Sequence, residues 1–123
     1  MSRFLAVAVG GALGAMSRYA VVLFVATFWK RDFPLATLLI NVSGSFVLGF
    51  FATVAAEKSS LDPLWRLLIA TGFIGAYTTF STFEYETQRL TESGALWWGA
   101  LNVLTSVAAG YAAVQFGIFL ARR

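Results

Sequence analysis

Apolar residues form four long segments along the chain, and short polar loops separate them. The segments cover residues 4–28, 35–56, 64–92 and 96–121. Each is as long as the roughly 20 residues that a helix needs to cross a bilayer. The loops contain Lys30-Arg31-Asp32, Glu57-Lys58-Ser59-Ser60 and Ser93-Gly94. We therefore predict an all-α protein with a single domain, residues 1–123, whose four transmembrane helices pack as antiparallel hairpins.

The composition supports an integral membrane protein and argues against several other classes. Apolar residues make up 59% of the chain and charged residues 12%, and the mean hydropathy is +0.75. The nine basic and six acidic residues lie mostly at the ends of the apolar segments, so no basic stripe is available for a nucleic acid. Because the chain has no Cys and no His, a nucleophile–base pair of the usual kind is missing, and we do not expect an enzyme.

The basic residues give only a small preference for one orientation in the membrane. With four spans, both termini lie on the same side. Five basic residues belong to that side and three to the other, with Arg18 inside the first span: Arg3, Lys58, Arg66, Arg122 and Arg123 against Lys30, Arg31 and Arg89. Either the termini are cytoplasmic by a small margin, or the protein inserts in both orientations.

Two segments carry polar and small residues at every fourth position, which places each set on one helix face. The sets are Asn41, Ser45 and Gly49 in the second segment and Asn102, Ser106 and Gly110 in the fourth. An unpaired amide at membrane depth is costly, so Asn41 must face another helix or a wet cavity. The two faces are either the walls of a polar path or interhelical hydrogen-bonding seams.

The first segment contains the pair Gly10 and Gly14, followed on the same face by Arg18. A GxxxG pair in a membrane helix more often marks close helix packing than a functional site. An arginine well inside a span normally pairs with another group, reaches the interface or attracts an anion. Arg18 is therefore a candidate functional residue.

The third segment is predicted to be broken. Gly72, Gly75 and the pair Thr78-Thr79 weaken the helix, and the hydroxyls offer the backbone other partners, so we expect an unwound turn near residues 75–79. Free carbonyls at the end of a half-helix can hold a small hard cation such as sodium. The alternative is an intact helix with a polar packing seam.

Aromatic and polar residues follow this predicted break. Phe80 and Phe83 share one face, whereas Ser81 and Thr82 turn toward another. The positive edge of a phenylalanine ring can attract an anion, although most phenylalanines of a membrane protein simply face lipid. Glu86 follows near the membrane boundary, where a solvated helix end is the ordinary explanation for an acid.

The run from Gly72 to Phe83, with Glu86-Thr87 after it, resembles the signature of the Fluc (CrcB-like) family of microbial fluoride channels. The glycine–arginine pattern of residues 10–18 and the spacing of Asn41 and Gly44 are also similar. The resemblance covers the whole chain, and the core TTFSTF is highly specific.

This resemblance implies a fluoride channel in the cell inner membrane or plasma membrane, formed by an antiparallel, dual-topology homodimer. Each dimer would contain two fluoride pores and one structural sodium ion. The backbone carbonyls of Gly75 and Thr78 would bind the sodium, and Arg18 would lie at a vestibule. The implied pore residues are Asn41, Phe80, Phe83, Ser81, Thr82, Glu86, Asn102 and Ser106. Asn102, Gly110 and Val114 stand where some family members carry tyrosine or further hydroxyls.

Two other functions fit a small membrane protein of this kind. A dual-topology, proton-coupled exporter of the multidrug-resistance type would need a titratable carboxylate deep in a span, but the first span contains Arg18 and no acid. A structural or assembly protein would use Asn41 and Phe80 for oligomer stability and not for ion flux.

Overall fold

The computed structural model describes residues 2–57 and 61–123, and within those ranges all regular secondary structure is helical. Helices α1 (Arg3–Phe28), α2 (Leu35–Glu57) and α6 (Leu96–Ala121) are each long and apolar enough to cross a membrane. They confirm the first, second and fourth predicted spans. Of the predicted loops, residues 58–60 lie outside the described part of the chain.

The third predicted span is divided into two half-helices. The first half-helix, residues 63–77, consists of α3 (Pro63–Arg66), a π-helical segment (Leu67–Ile74) and α4 (Gly75–Tyr77). Thr78 and Thr79 then adopt extended backbone, and α5 (Phe80–Glu92) follows. The predicted break is confirmed and lies at Thr78-Thr79, because Gly75 still belongs to a helical turn. The π-helical segment was not predicted from the sequence.

Side chains fix where both half-helices begin. Asp62 Oδ1 accepts a hydrogen bond from the Leu64 amide at 2.8 Å, and Pro63 occupies the first turn. An N-terminal proline loses nothing there, since its missing N–H would have no helical partner. Thr79 caps α5, because its hydroxyl oxygen accepts from the Thr82 amide at 3.3 Å. The threonine pair of the sequence therefore both ends one helix and starts the next.

The closest helix pairs are not neighbours in sequence. Helix α1 packs mainly on the π-helical segment, and α2 packs mainly on α6, so the predicted antiparallel hairpins are not the main packing units. Glycines explain why these helix pairs pack so closely. A Cβ on Gly14 would lie 2.1 Å from the Phe73 carbonyl oxygen, and one on Gly49 would lie 2.4 Å from that of Val114. Only glycine permits such backbone approach, which confirms the packing function expected of the GxxxG pair.

Much of the helix surface is apolar and exposed. Phe4, Leu23 and Phe24 are 90%, 52% and 67% exposed along α1. A water-soluble protein would bury such side chains, whereas in a bilayer they face lipid or another subunit. Trp97 and Trp98 lie in the first turn of α6, which agrees with the expected position of tryptophan at helix ends.

Candidate functional site

The break in the third span is closed by one side chain from α2. The Asn41 amide nitrogen donates to the Thr79 carbonyl at 2.9 Å, and the Thr79 amide donates to Asn41 Oδ1 at 2.8 Å. Gly44, one turn further along α2, permits this approach, since a Cβ there would lie 2.2 Å from Thr78 Cγ2. Asn41 thus provides the acceptor for the Thr79 amide, which would otherwise be unpaired at membrane depth. It also adds a second donor to the Thr79 carbonyl, which as the N-cap carbonyl accepts the first bond of α5.

These bonds leave two carbonyls without their ordinary helical donors. In an α-helix the Thr79 amide would donate to the Gly75 carbonyl, but it donates to Asn41. Likewise, the Thr82 amide would donate to the Thr78 carbonyl, but it donates to the Thr79 hydroxyl. Gly75 is exposed and Thr78 is half-buried. The two residues predicted to bind a cation therefore both present carbonyl oxygens with unused acceptor capacity.

A cavity of about 280 Å³ lies between α2, α6 and the break, and we call it the aromatic cavity. Its lining brings together four of the predicted pore residues, Asn41, Phe80, Phe83 and Ser106. The ring centroids of Phe80 and Phe83 are 5.8 Å apart, and the ring planes are tilted by 47°. Phe83 is buried at 7% exposure, whereas Phe80 is 73% exposed. The aromatic cavity therefore combines amide, hydroxyl and aromatic side chains, with no charged group in its lining.

A second cavity of about 340 Å³, here the arginine cavity, lies between α1, α2 and α5. Three predicted residues, Arg18, Thr82 and Glu86, line it together with Thr37 and Thr79. The Thr37 hydroxyl donates to Glu86 Oε1 at 3.0 Å. Glu86 Oε2 is buried and has no hydrogen-bond partner within residues 2–57 and 61–123. Glu86 is thus a half-buried wall residue of the arginine cavity and is not simply a solvated helix end.

Neighbouring cavities share wall residues. An outer cavity of about 440 Å³, lined among others by Arg31, Asp32 and Arg89, also reaches Glu86. Glu86 therefore lies in both the outer cavity and the arginine cavity. Thr79 in turn lies in both the arginine cavity and the aromatic cavity. The three cavities are thus neighbours between the end of α5 and the break, with Glu86 and Thr79 as shared wall residues.

Two predicted pore residues lie outside these cavities. Ser81 is exposed on α5, and Asn102 is buried on α6 with 1% exposure. The Asn102 amide nitrogen donates to Thr87 Oγ1 at 2.9 Å. Neither residue lines the aromatic cavity or the arginine cavity. The two predicted polar faces do meet further along, where a Cβ on Gly110 would lie 3.8 Å from Ser45 Oγ.

The sequence analysis did not predict that the side chains of three threonines form hydrogen bonds at the site. Thr37 belongs to the Asn41 face, one turn earlier, and extending that four-residue spacing backward would have found it. Thr79 was seen only as a helix breaker. Thr87 lies four residues after Phe83 on α5, and no local pattern indicates that its partner is Asn102, 15 residues away.

The helices and cavities define a small multi-pass membrane protein with a polar site at the break of its third span. Over residues 5–118 the chain matches the family described as "CrcB-like protein, Camphor Resistance (CrcB)". The chain belongs to this family, which confirms the membership predicted from the third-span motif.

Several curated proteins are similar over nearly their whole length. A protein of Solibacter usitatus (strain Ellin6076), named "Fluoride-specific ion channel FluC", is 44% identical over 98% of this chain and 99% of its own. A protein of the same name from Acidobacterium capsulatum is 46% identical over 98% of this chain and 97% of its own. One from Sulfurihydrogenibium sp. (strain YO3AOP1) is 43% identical over 99% and 98%, respectively.

Proposed function

We propose that this protein is a channel that conducts fluoride passively across a cell membrane. The observation that carries the proposal is the aromatic cavity, in which Asn41, Phe80, Phe83 and Ser106 meet beside the break of the third span. The names of the curated relatives support the same ion. Chloride is the comparison ion, because a fluoride channel must discriminate against it.

The chemistry of the aromatic cavity suits a small anion. Fluoride is strongly hydrated, so a pore must replace its water with hydrogen-bond donors and positive ring edges. The donors must also be weak enough to release the ion, and a cavity without a basic side chain meets that need. The proton-coupled exporter is not favoured, since the lining of the aromatic cavity contains no carboxylate and α1 contains no acid.

We further propose that two subunits form an antiparallel, dual-topology homodimer with two pores. Phe80 is 73% exposed, and Gly75 and Ser81 are exposed beside it. Thr78, in the irregular backbone of the break, is only half-buried, and irregular backbone is not tolerated against lipid, so another protein surface should cover the break. The near balance of basic residues, five against three, is compatible with insertion in both orientations. An antiparallel dimer would supply the inverted symmetry that larger transporters obtain by duplication.

A structural sodium ion fits the carbonyls left free at the break. Gly75 and Thr78 offer two oxygens per subunit, because the Thr79 and Thr82 amides donate elsewhere. Two subunits meeting at this surface would offer four hard oxygen ligands and the negative ends of two half-helices, which suits a small cation. Sodium would supply positive charge that holds the two breaks together. Gly75 and Thr78 would contribute by keeping their carbonyl oxygens free of helical hydrogen bonds.

The proposal is tested by fluoride-electrode efflux from proteoliposomes, with chloride efflux as the reference. We expect rapid fluoride release and little chloride release. Phe83→Ile keeps most of the buried volume but removes the ring, at a packing cost below about 1.5 kcal/mol, so fluoride flux should fall while the protein stays folded. Phe73→Ile is the matched control, because Phe73 stacks on Tyr77 outside the aromatic cavity. Equal flux from both variants would contradict the assignment of the pore, and equal chloride release would contradict the proposed ion.

A further inference from the structure

A chain of hydrogen bonds leads from α6 to the backbone of Phe83. The Asn102 amide nitrogen donates to Thr87 Oγ1 at 2.9 Å. Thr87 Oγ1 in turn donates to the Phe83 carbonyl at 2.8 Å. On the other side of the amide, the Ser106 hydroxyl donates to Asn102 Oδ1 at 3.4 Å. Asn102 is therefore held at both ends of its side chain.

The position of Asn102 argues against direct contact with a permeating ion. Its exposure is 1%, and it lines neither the aromatic cavity nor the arginine cavity. Ser106, one turn later, does line the aromatic cavity. The two residues share a helix face, but α5 covers Asn102. The two helices are in direct contact there, since a Cβ on Gly99 of α6 would lie 3.6 Å from the Thr87 carbonyl, at ordinary van der Waals distance.

The hydrogen bond from Asn102 fixes the direction of the next one. A threonine hydroxyl has one proton, so once Thr87 Oγ1 accepts from the amide, its own proton is available to the Phe83 carbonyl. Such a bond to the carbonyl four residues earlier affects the local bend of a helix. Chained hydrogen bonds in a dry interior also strengthen one another. Through these two hydrogen bonds, α6 constrains the orientation of α5 at Phe83.

We propose that Asn102 and Thr87 are positioning residues that set the Phe83 ring in the aromatic cavity. Asn102 acts through Thr87 and does not touch the ion. This inference rests on the proposed function, because Phe83 is taken as a pore residue. It replaces the expectation that Asn102 forms part of the polar path itself.

The test is a double-mutant cycle with Asn102→Leu, Thr87→Val and the double variant. Fluoride efflux is measured from equal amounts of folded protein over a range of fluoride concentrations, and unfolding midpoints are recorded in detergent. We expect both single variants and the double variant to lower the maximal rate by the same factor, about 5-fold to 10-fold, since all three break the same chain of bonds. Thr87→Ser keeps the hydroxyl and should restore most of the rate.

Thr91→Val is the matched control for a purely structural effect. The Thr91 hydroxyl also donates to a carbonyl four residues earlier on α5, that of Thr87, at 2.7 Å. This variant should keep a normal rate and lower the unfolding midpoint less than Thr87→Val does, because Thr87→Val also leaves the buried Asn102 amide without its partner. The Thr91 hydrogen bond lies entirely within α5, so its removal leaves the hydrogen bond between α5 and α6 in place.

Three results would overturn the inference. If the rate losses of the single variants multiply in the double variant, Asn102 acts on the ion independently of Thr87. If all variants keep the normal rate and lose only stability, the contact is ordinary packing. If the unmodified protein releases no fluoride, the proposed function is refuted first, before any variant is compared, and the inference falls with it.

Discussion

Replacement of Asn41 by Leu is expected to destabilise the break more than any single polar substitution on the same face of α2. The variant removes two hydrogen bonds, of 2.9 and 2.8 Å, to the backbone of Thr79. Thr79 is 9% exposed, so water cannot easily take the place of the amide. Leucine has the same branched arrangement of side-chain heavy atoms, but its methyl groups are larger than the amide oxygen and nitrogen, so some steric cost adds to the loss of hydrogen bonding.

Two estimates bracket the size of the effect. Leaving the buried Thr79 amide without an acceptor costs about 1–3 kcal/mol, and the Thr79 carbonyl, which as the N-cap carbonyl keeps its bond within α5, loses a second donor worth about 0.5–1.5 kcal/mol. Interhelical hydrogen bonds measured within a membrane average only about 0.6 kcal/mol each, because the released groups find other partners. Here the Thr79 amide could return to the Gly75 carbonyl only if Thr79 left its extended backbone, φ −151° and ψ 118°. We therefore expect a loss of about 2–4 kcal/mol.

The measurement is reversible unfolding in mixed micelles, with Ser45→Ala as the control. Ser45 lies one turn after Asn41 on the same face, and its side chain makes no hydrogen bond in the part of the chain that the structure describes. It should lose no more than about 0.5 kcal/mol. If Asn41→Leu loses no more than this control, then Asn41 does not close the break.

The same variant also tests the proposed cation site. Sodium that binds only the folded protein stabilises it in proportion to the logarithm of sodium concentration above the dissociation constant. If α4 extends in the variant, the Gly75 carbonyl regains the Thr79 amide and loses a cation ligand. We expect the sodium-dependent gain in stability to be smaller in Asn41→Leu than in the unmodified protein. An unchanged sodium response would mean that Asn41 does not keep this carbonyl free.

Two further predictions concern packing and orientation. Gly14→Ala should cost at least about 1–3 kcal/mol, because its Cβ would meet the Phe73 carbonyl oxygen at 2.1 Å. Gly11→Ala, with its nearest contact at 4.0 Å, should be neutral or stabilising in the same unfolding assay, and equal effects would contradict the packing argument. Single cysteines at Lys30 and Arg123 should each be labelled from outside in part of the population of intact cells, and one-sided labelling of both would exclude dual topology.

The sequence predicts the spans and the break because both depend on local composition. Apolar length determines α1, α2 and α6, and the threonine pair supplies hydroxyls that end one helix and begin the next. The π-helical segment Leu67–Ile74 has no comparable local signal. It lies against Gly10 and Gly14, so its geometry depends on another helix. The pairing of α1 with this segment and of α2 with α6 is likewise a property of the assembled fold.

Candidate site residues were predictable by face but not by partner. The four-residue spacing places Asn41 and Ser45 on one face and Asn102 and Ser106 on another. It does not give the rotation of α6, on which the separate surroundings of Asn102 and Ser106 depend. Ser106 reaches the aromatic cavity, whereas Asn102 meets Thr87. The helical period predicts which residues share a face of one helix. It does not predict which side chain of another helix they contact, because that depends on tertiary structure.

The break also explains why anion and cation sites would be found together. The backbone of Thr79 is bound to Asn41, and its hydroxyl accepts from the Thr82 amide. Those same bonds leave the carbonyls of Gly75 and Thr78 without helical donors, while Thr79 lines both polar cavities. A change that lets the helix continue through the break would therefore alter the lining of both cavities. It would also return the carbonyls of Gly75 and Thr78 to helical hydrogen bonds. Conduction and cation binding should consequently respond together to substitutions at Asn41 but separately to substitutions at Phe83, whose side chain takes no part in closing the break.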